Sequence, residues 1–158
     1  MPNSYQHRFS GFSHIAHVAD QVWEEWNRHR QTKSATPETA GVMIGMTNQD
    51  RKEIWIQTVT TPKDNDEQGR CHFKLTDPAH QAYVDKEFSL SSGTHIYLGT
   101  WHTHPQPTPE PSSVDIRDWE SCLLRNRERP LVFSIVGIQQ TQIYIKHKSL
   151  FVALEQDD

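Results

Sequence analysis

His102 and His104 stand two residues apart in HIYLGTWHTHP, a stretch with the composition of a β-strand. On a strand, residues i and i+2 leave the same face with Cα atoms roughly 6.5–7 Å apart, so both imidazoles can lean onto one ion. Zinc takes nitrogen donors at about 2.0–2.1 Å, which two rings reach from that baseline without strain. A His-x-His pair on its own is commonly structural or solvent-facing. This pair sits where the strand runs into Pro105 and the connector QPTPEP, beside a helix start, and α/β proteins build sites at such strand ends.

Asp115, in Ser112-Ser113-Val114-Asp115, falls in the first turn of that helix, where the helix dipole favours a negative charge. By themselves Ser112 and Asp115 read as a capping pair, serine accepting from a backbone N–H and the carboxylate reaching back. Joined to His102 and His104, the carboxylate completes the open three-ligand set of a catalytic zinc, with water in the fourth position. Such a water needs a base. Glu38 is the upstream candidate, in a loop just before the glycine-containing strand AGVMIG. Alone it would pass for an exposed loop residue. The same holds for Ser112, whose hydroxyl could instead donate to an oxyanion.

Several elements must position these groups. Phe12, Ile15, Ala19, Val22 and Trp26 recur at three- and four-residue steps, which predicts an amphipathic helix over about 13–31. A strand over 41–46 and another over 53–60 flank a turn at Asn48-Gln49-Asp50. Residues 61–70, TPKDNDEQGR, have no apolar member and read as a solvated loop. A short strand over 71–75 leads to Asp77-Pro78, which opens a helix to about Leu90 closed by Ser91-Ser92-Gly93. The histidine-bearing strand covers 95–104, and the helix after the connector runs to about Asn126. LVFSIVGI, 131–138, is apolar on both parities and so a strand covered on both sides, with QIYIKH as its hairpin partner. Helices set between strands, some of them hairpin-connected, predict an α/β domain with a mixed β-sheet flanked by helices. The boundaries are one domain over 1–158, a core from about 12 to 150 and a short polar C-terminal tail, Glu155–Asp158 being frayed.

The bulk properties narrow the function. The 158 residues, 34% of them hydrophobic, can bury a core without help from disulfides or metal, so a metal would be functional. Sixteen Lys and Arg against 20 Asp and Glu, a formal charge of −4, argue against a nucleic-acid partner. Cys71 and Cys122 match no CxxC pair and read as reduced, buried thiols. No run approaches the roughly 20 apolar residues of a membrane helix, and MPNSYQHRFSGF lacks a signal peptide's apolar core, so no membrane partner and a cytoplasmic location are expected. His14 and His17, three apart on the first predicted helix, lack a third donor. His7, His29, His72, His80, His95 and His147 show no partner in the sequence. Trp101 points away from the ligand face by strand parity.

PETAGVMIG over 37–45, GTWHTHP over 99–105 and SSVD over 112–115 together resemble the JAB/MPN+ (JAMM) metalloproteases, whose signature is a glutamate, then His-Ser/Thr-His-Pro, then Ser-x-x-Asp. Residues 105–111 fill the seven-residue gap of that signature without insertion or deletion. One departure is Ala40, where many relatives have a second glycine. The resemblance implies the cytidine-deaminase-like α/β fold, Zn2+ on His102, His104 and Asp115, Glu38 as general acid/base, Ser112 as oxyanion stabiliser, and cleavage of bonds to ubiquitin-like modifiers. The length and the FKLTD to YLGTWHTHP stretch look most like the small bacterial JAB deconjugases of CBASS anti-phage operons. Those remove a cGAS-like nucleotidyltransferase from whatever its C-terminus was joined to. The expected partner is therefore a conjugated protein with an extended C-terminal tail, nucleotidyltransferase or ubiquitin-like. The alternatives are a non-catalytic MPN-type scaffold, or a JAB protease processing another modifier. A zinc nucleoside deaminase is excluded, since it needs His/Cys-x-Glu and Pro-Cys-x-x-Cys and neither occurs.

Overall fold

The computed structural model describes residues 4–69, 72–74 and 77–157. Among these, in chain order, lie β1 (His7–Gly11), β2 (His14–Val18), α1 (Asp20–His29), β3 (Ala40–Thr47), β4 (Glu53–Val59), β5 (Glu67–Gly69), β6 (His72–Lys74), α2 (Ala79–Leu90), β7 (Ile96–Thr103), α3 (Ser113–Arg125), β8 (Val132–Val136), β9 (Thr141–His147) and β10 (Leu150–Gln156). The expected mixed sheet is present: β2 with β4 and β7 with β8 pair in parallel, the other neighbours antiparallel. It closes on itself as a barrel in the order β1-β10-β9-β8-β7-β3-β4-β2, while β5 and β6 form a separate hairpin. No described helix is long and apolar enough to cross a membrane.

Closure comes from the two ends of the chain, where the structure departs from the sequence reading. Residues 13–18 are not helical. Residues 14–18 form β2, paired with β1 in the register Phe9↔Ala16 and His7↔Val18 across a turn at Phe12 and Ser13, both with positive φ (52° and 62°), as a tight right-twisted hairpin requires. Ile15 and Ala19 fit a helical period with Val22 and Trp26, but Ala16 and Val18 fit a strand period and are fully buried with Phe9. Over five residues the two periods overlap, and the pairing partner decides. His14 and His17 therefore stand on opposite faces of a strand and share no metal. His17 Nε2 lies 2.8 Å from Glu53 and its ring stacks on Trp55.

At the other end β10 replaces the expected polar tail. It pairs with β9 along 150–154 and with β1 through Phe9↔Gln156 and Ser10↔Glu155, and Asp157 N donates to Arg8 O at 2.8 Å. A barrel leaves no unpaired strand edge, which is what orders so polar a segment. The loop expected over 61–70 is also shorter, since β5 takes 67–69. The predicted strand ends Cys71 and Leu75 lie outside the described residues, and Cys122 is a free, buried thiol.

Two buried clusters hold the elements together. One joins α1 to the strands through Val22, Trp26, Met43, Ile56, Trp101, Val132, Ile143 and Leu154. The other, Trp119, Phe133, Ile135 and Tyr144, packs beneath α3. All of β8 is buried, as its apolar run predicts. Gly41 is required by close approach: a Cβ there would lie 2.0 Å from Thr60 O and 2.5 Å from Trp101 Nε1. Gly99, at φ +123°, sits where the β3–β7 register shifts, and a Cβ would meet Val132 O at 1.9 Å.

His80 has partners that the sequence does not announce. Its Nδ1 lies 2.6 Å from Thr60 Oγ1 and its Nε2 2.5 Å from Asp66 Oδ2, with both the His80 and Asp66 side chains buried. Thr60 Oγ1 also accepts from Val42 N at 2.9 Å, and Asp66 accepts from Lys63 N and Asp77 N at 2.9 Å each. The relay thus ties the segment before β5 and the start of α2 to β3. His80→Ala strands two buried polar groups and is expected to cost about 2–4 kcal/mol, read as a lower midpoint in urea. Burial acts to raise the Asp66 carboxyl, but the His80 bond and the two amides outweigh it and hold it below the usual value. A depressed carboxyl contributes stability above its unfolded pKa and loses it as pH falls through the folded one. Asp66→Asn should therefore flatten the acid limb of the stability profile.

Candidate metal centre

β7 delivers the histidines. It runs antiparallel to β3 with Ala40 opposite His102, and continuing that register by two residues sets Glu38 beside His104. Thr103 reinforces the junction: Thr39 N donates to its Oγ1 and its own N donates to Thr39 O, both at 2.9 Å. His102 points to the α3 side with its ring 6.4 Å from Trp119, while Trp101 points oppositely into the core, as parity predicts.

The connector folds α3 back onto that strand end. Pro107 O accepts from Gln139 N and Gln140 N at 3.2 and 3.0 Å, Gln106 O accepts from Ile138 N at 2.7 Å, and Tyr144 Oη donates to Pro109 O at 3.2 Å. Residues 105–111 are therefore laid along the β8–β9 turn. α3 then begins with a full capping box: Asp115 N donates to Ser112 Oγ at 3.1 Å and Ser112 N donates to Asp115 Oδ2 at 2.8 Å. Cap and site are the same residues, because the capping geometry turns the Asp115 carboxylate back toward β7.

The donor atoms converge. His102 Nε2 lies 3.0 Å from His104 Nε2, Asp115 Oδ1 3.2 Å from His102 Nε2, and Asp115 Oδ2 3.1 Å from His104 Nε2. Two ligands bound at 2.0–2.1 Å in tetrahedral geometry stand about 3.3 Å apart. The observed spacings match that requirement, so the residues fit a divalent cation and the nitrogen and oxygen donors suit zinc. Glu38 stands at the rim: Glu38, His102 and His104 keep one donor atom each within 4.8 Å of one another, with Glu38 Oε1 3.9 Å from His104 Nε2.

Each group's protonation is set by its surroundings. Burial raises the Glu38 carboxyl to about 7, the charge of His104 lowering it and that of Asp115 raising it. Burial also pushes the His102 imidazole down despite Asp115. For His104, burial acts downward too, but Asp115, Glu38 and Gln106 outweigh it and hold it above its ordinary value. Asp115 is held far below the carboxylate range: burial would raise it, and bonds with both histidines and Ser112 N prevail. The result is one buried carboxylate held to the anion by its hydrogen bonds beside another raised by burial.

Gln106 has no signal in the sequence. Its Oε1 lies 3.3 Å from His104 Nδ1 and accepts from Glu110 N at 3.1 Å. An amide oxygen there accepts a hydrogen bond from Nδ1–H and leaves the Nε2 lone pair facing the cluster. Gln106→Ala should weaken zinc about 10- to 100-fold, measured by competition with a chromophoric chelator.

A family described as prokaryotic homologs of the JAB domain matches residues 20–147. A protein from Vibrio cholerae named CD-NTase/cGAS isopeptidase is 32% identical over 128 residues, 81% of this chain and 80% of its own length. A protein of the same name from Escherichia coli is 30% identical over 132 residues, 84% of this chain and 82% of the relative. The solution structure of protein DSY2949 from Desulfitobacterium hafniense superposes with a TM-score of 0.58 over 87% of this chain and 88% of that one. At 23% identity it speaks for the fold alone.

Proposed function

This chain belongs to the family of prokaryotic homologs of the JAB domain, and from that premise we propose that it is a JAMM-type zinc isopeptidase that releases a CD-NTase, a cGAS-like nucleotidyltransferase, from C-terminal conjugates in anti-phage defence. The observation that carries this is the convergence of His102, His104 and Asp115 with a buried Glu38 beside them. His102, His104 and Asp115 would hold a zinc ion. Zinc bound there supplies Lewis acidity, making a water nucleophilic near neutral pH and polarising the scissile carbonyl.

Glu38 accepts the proton of the attacking water on its carboxylate as the new C–O bond forms. The Ser112 hydroxyl oxygen is already engaged as an acceptor from Asp115 N, so its hydrogen is the part left to donate to the developing oxyanion. When the C–N bond breaks, Glu38 returns the proton to the departing lysine amine, and the products are a free C-terminal carboxylate and a free lysine. One catalytic domain over 1–158, acting in the bacterial cytoplasm, is part of the same proposal.

The test is incubation of the zinc-loaded protein with a CD-NTase joined through its C-terminus to a lysine of a second protein, followed by intact mass. The expected result is the CD-NTase with its native C-terminal carboxylate. An uncleaved conjugate in the presence of stoichiometric zinc would overturn the substrate assignment.

A further inference from the structure

A groove of about 720 Å³ starts at Asp115 and Trp119 and runs between α2 and α3 past Val84 and Tyr97 to Arg125 and Asn126. A second hollow of about 300 Å³ shares Val84, Tyr97 and Asn126 and extends it to Arg129. From Asp115 to Arg125 the helix rises about 15 Å, which an extended peptide covers in about four to five residues. A lysine's four-carbon stem is too short to fill such a channel, so the groove suits the tail on the acyl side of the scissile bond.

Its charge changes along its length. Near the metal centre the wall carries Asp115 and Asp118, and Asp77 also lines the groove. At the far end stand the guanidinium groups of Arg125 and Arg129, and among the described residues neither is paired with a carboxylate. Arg125 Nη2 donates to Cys122 Sγ at 3.6 Å. Asp85, on the opposite wall, is engaged by Gln81, whose Nε2 donates to Asp85 Oδ1 at 2.9 Å. The floor between the arginines and the metal is Tyr97, its hydroxyl pushed up by burial and so uncharged.

We propose that this groove selects a C-terminal tail bearing an acidic side chain four to five residues before the scissile carbonyl, held by Arg125 and Arg129. The proposal rests on the isopeptidase reading for what the tail is, and on the groove alone for its charge. Arginine is the fitting residue there, since its planar fork matches a carboxylate and stays charged at any working pH.

The test measures binding, so that it stands apart from turnover. Fluorescent seven-residue peptides ending in three glycines and a free carboxylate, with Glu, Gln or Lys at the fifth or sixth residue from the end, are titrated against the zinc-loaded protein by anisotropy. The Glu peptide is expected to bind about tenfold more tightly than the Lys peptide at low salt. The double reversal Arg125→Glu/Arg129→Glu, on exposed positions and checked by thermal melting, should invert that order. Equal affinities for the three peptides, or an order unmoved by the reversal, would overturn the proposal. Charge selectivity without cleavage of any conjugate would instead leave the groove assignment standing and remove the isopeptidase one.

Discussion

Glu38→Gln is expected to lower kcat by about a thousandfold or more while zinc stays bound at one ion per chain, because a positioned general base contributes 10²–10⁴-fold and the proposed mechanism uses the same group as the acid. Glutamine keeps the shape of a side chain only 7% exposed, so packing is preserved and the proton is the one thing lost. Zinc content measured with turnover separates this from a collapsed site. The pH profile adds a second readout. Burial places the Glu38 carboxyl at about 7, and a cation held by His102 and His104 draws it lower. The acid limb of kcat/KM should therefore fall at or below that pH and disappear in the variant. A Glu38→Gln protein that cleaves a genuine conjugate at near-normal rate would show that another group takes the proton.

The second large effect is loss of the ion. Asp115→Asn is the informative substitution, because asparagine can still accept from Ser112 N through its amide oxygen and so maintain the cap of α3, yet it brings no charge to the histidines. Zinc stoichiometry should drop to near zero and turnover with it, by roughly 10⁴-fold or more, while the helix and the melting curve of the chelator-treated protein stay close to wild type. His102→Ala should lose both zinc and turnover as well. Wild type adds a control: a chelator should abolish cleavage and lower its melting temperature, and the same chelator should leave the Asp115→Asn melting temperature where it was. Full zinc occupancy in Asp115→Asn would mean that Glu38, rather than Asp115, supplies the third donor.

The groove between α2 and α3 joins these chemical residues to selectivity. The Thr60–His80–Asp66 relay anchors the α2 wall to β3, the strand whose register sets Glu38 opposite His104. Loosening the relay is thus expected to weaken tail binding before it slows chemistry.

The chemical groups were legible in the chain because they are local. A strand period places His102 with His104, a capping pattern marks Ser112 with Asp115, and the helix and strand ends follow from Pro105, Asp77-Pro78 and Gly93. Two features depended on partners distant in the sequence. Residues 14–18 satisfy helical and strand periods alike, and only pairing with β1 and β4 selects the strand. The polar residues 155–156 become β10 only because β1, at the far end of the chain, offers an unpaired edge. The same holds within the site: nothing about Gln106 marks it as the partner of His104, and nothing near His80 points to Asp66 or Thr60. Spacing along the chain determines which side chains share a face. Whether two faces meet, and what charge each group then bears, is decided by the closed barrel, whose long-range contacts set burial and therefore pKa.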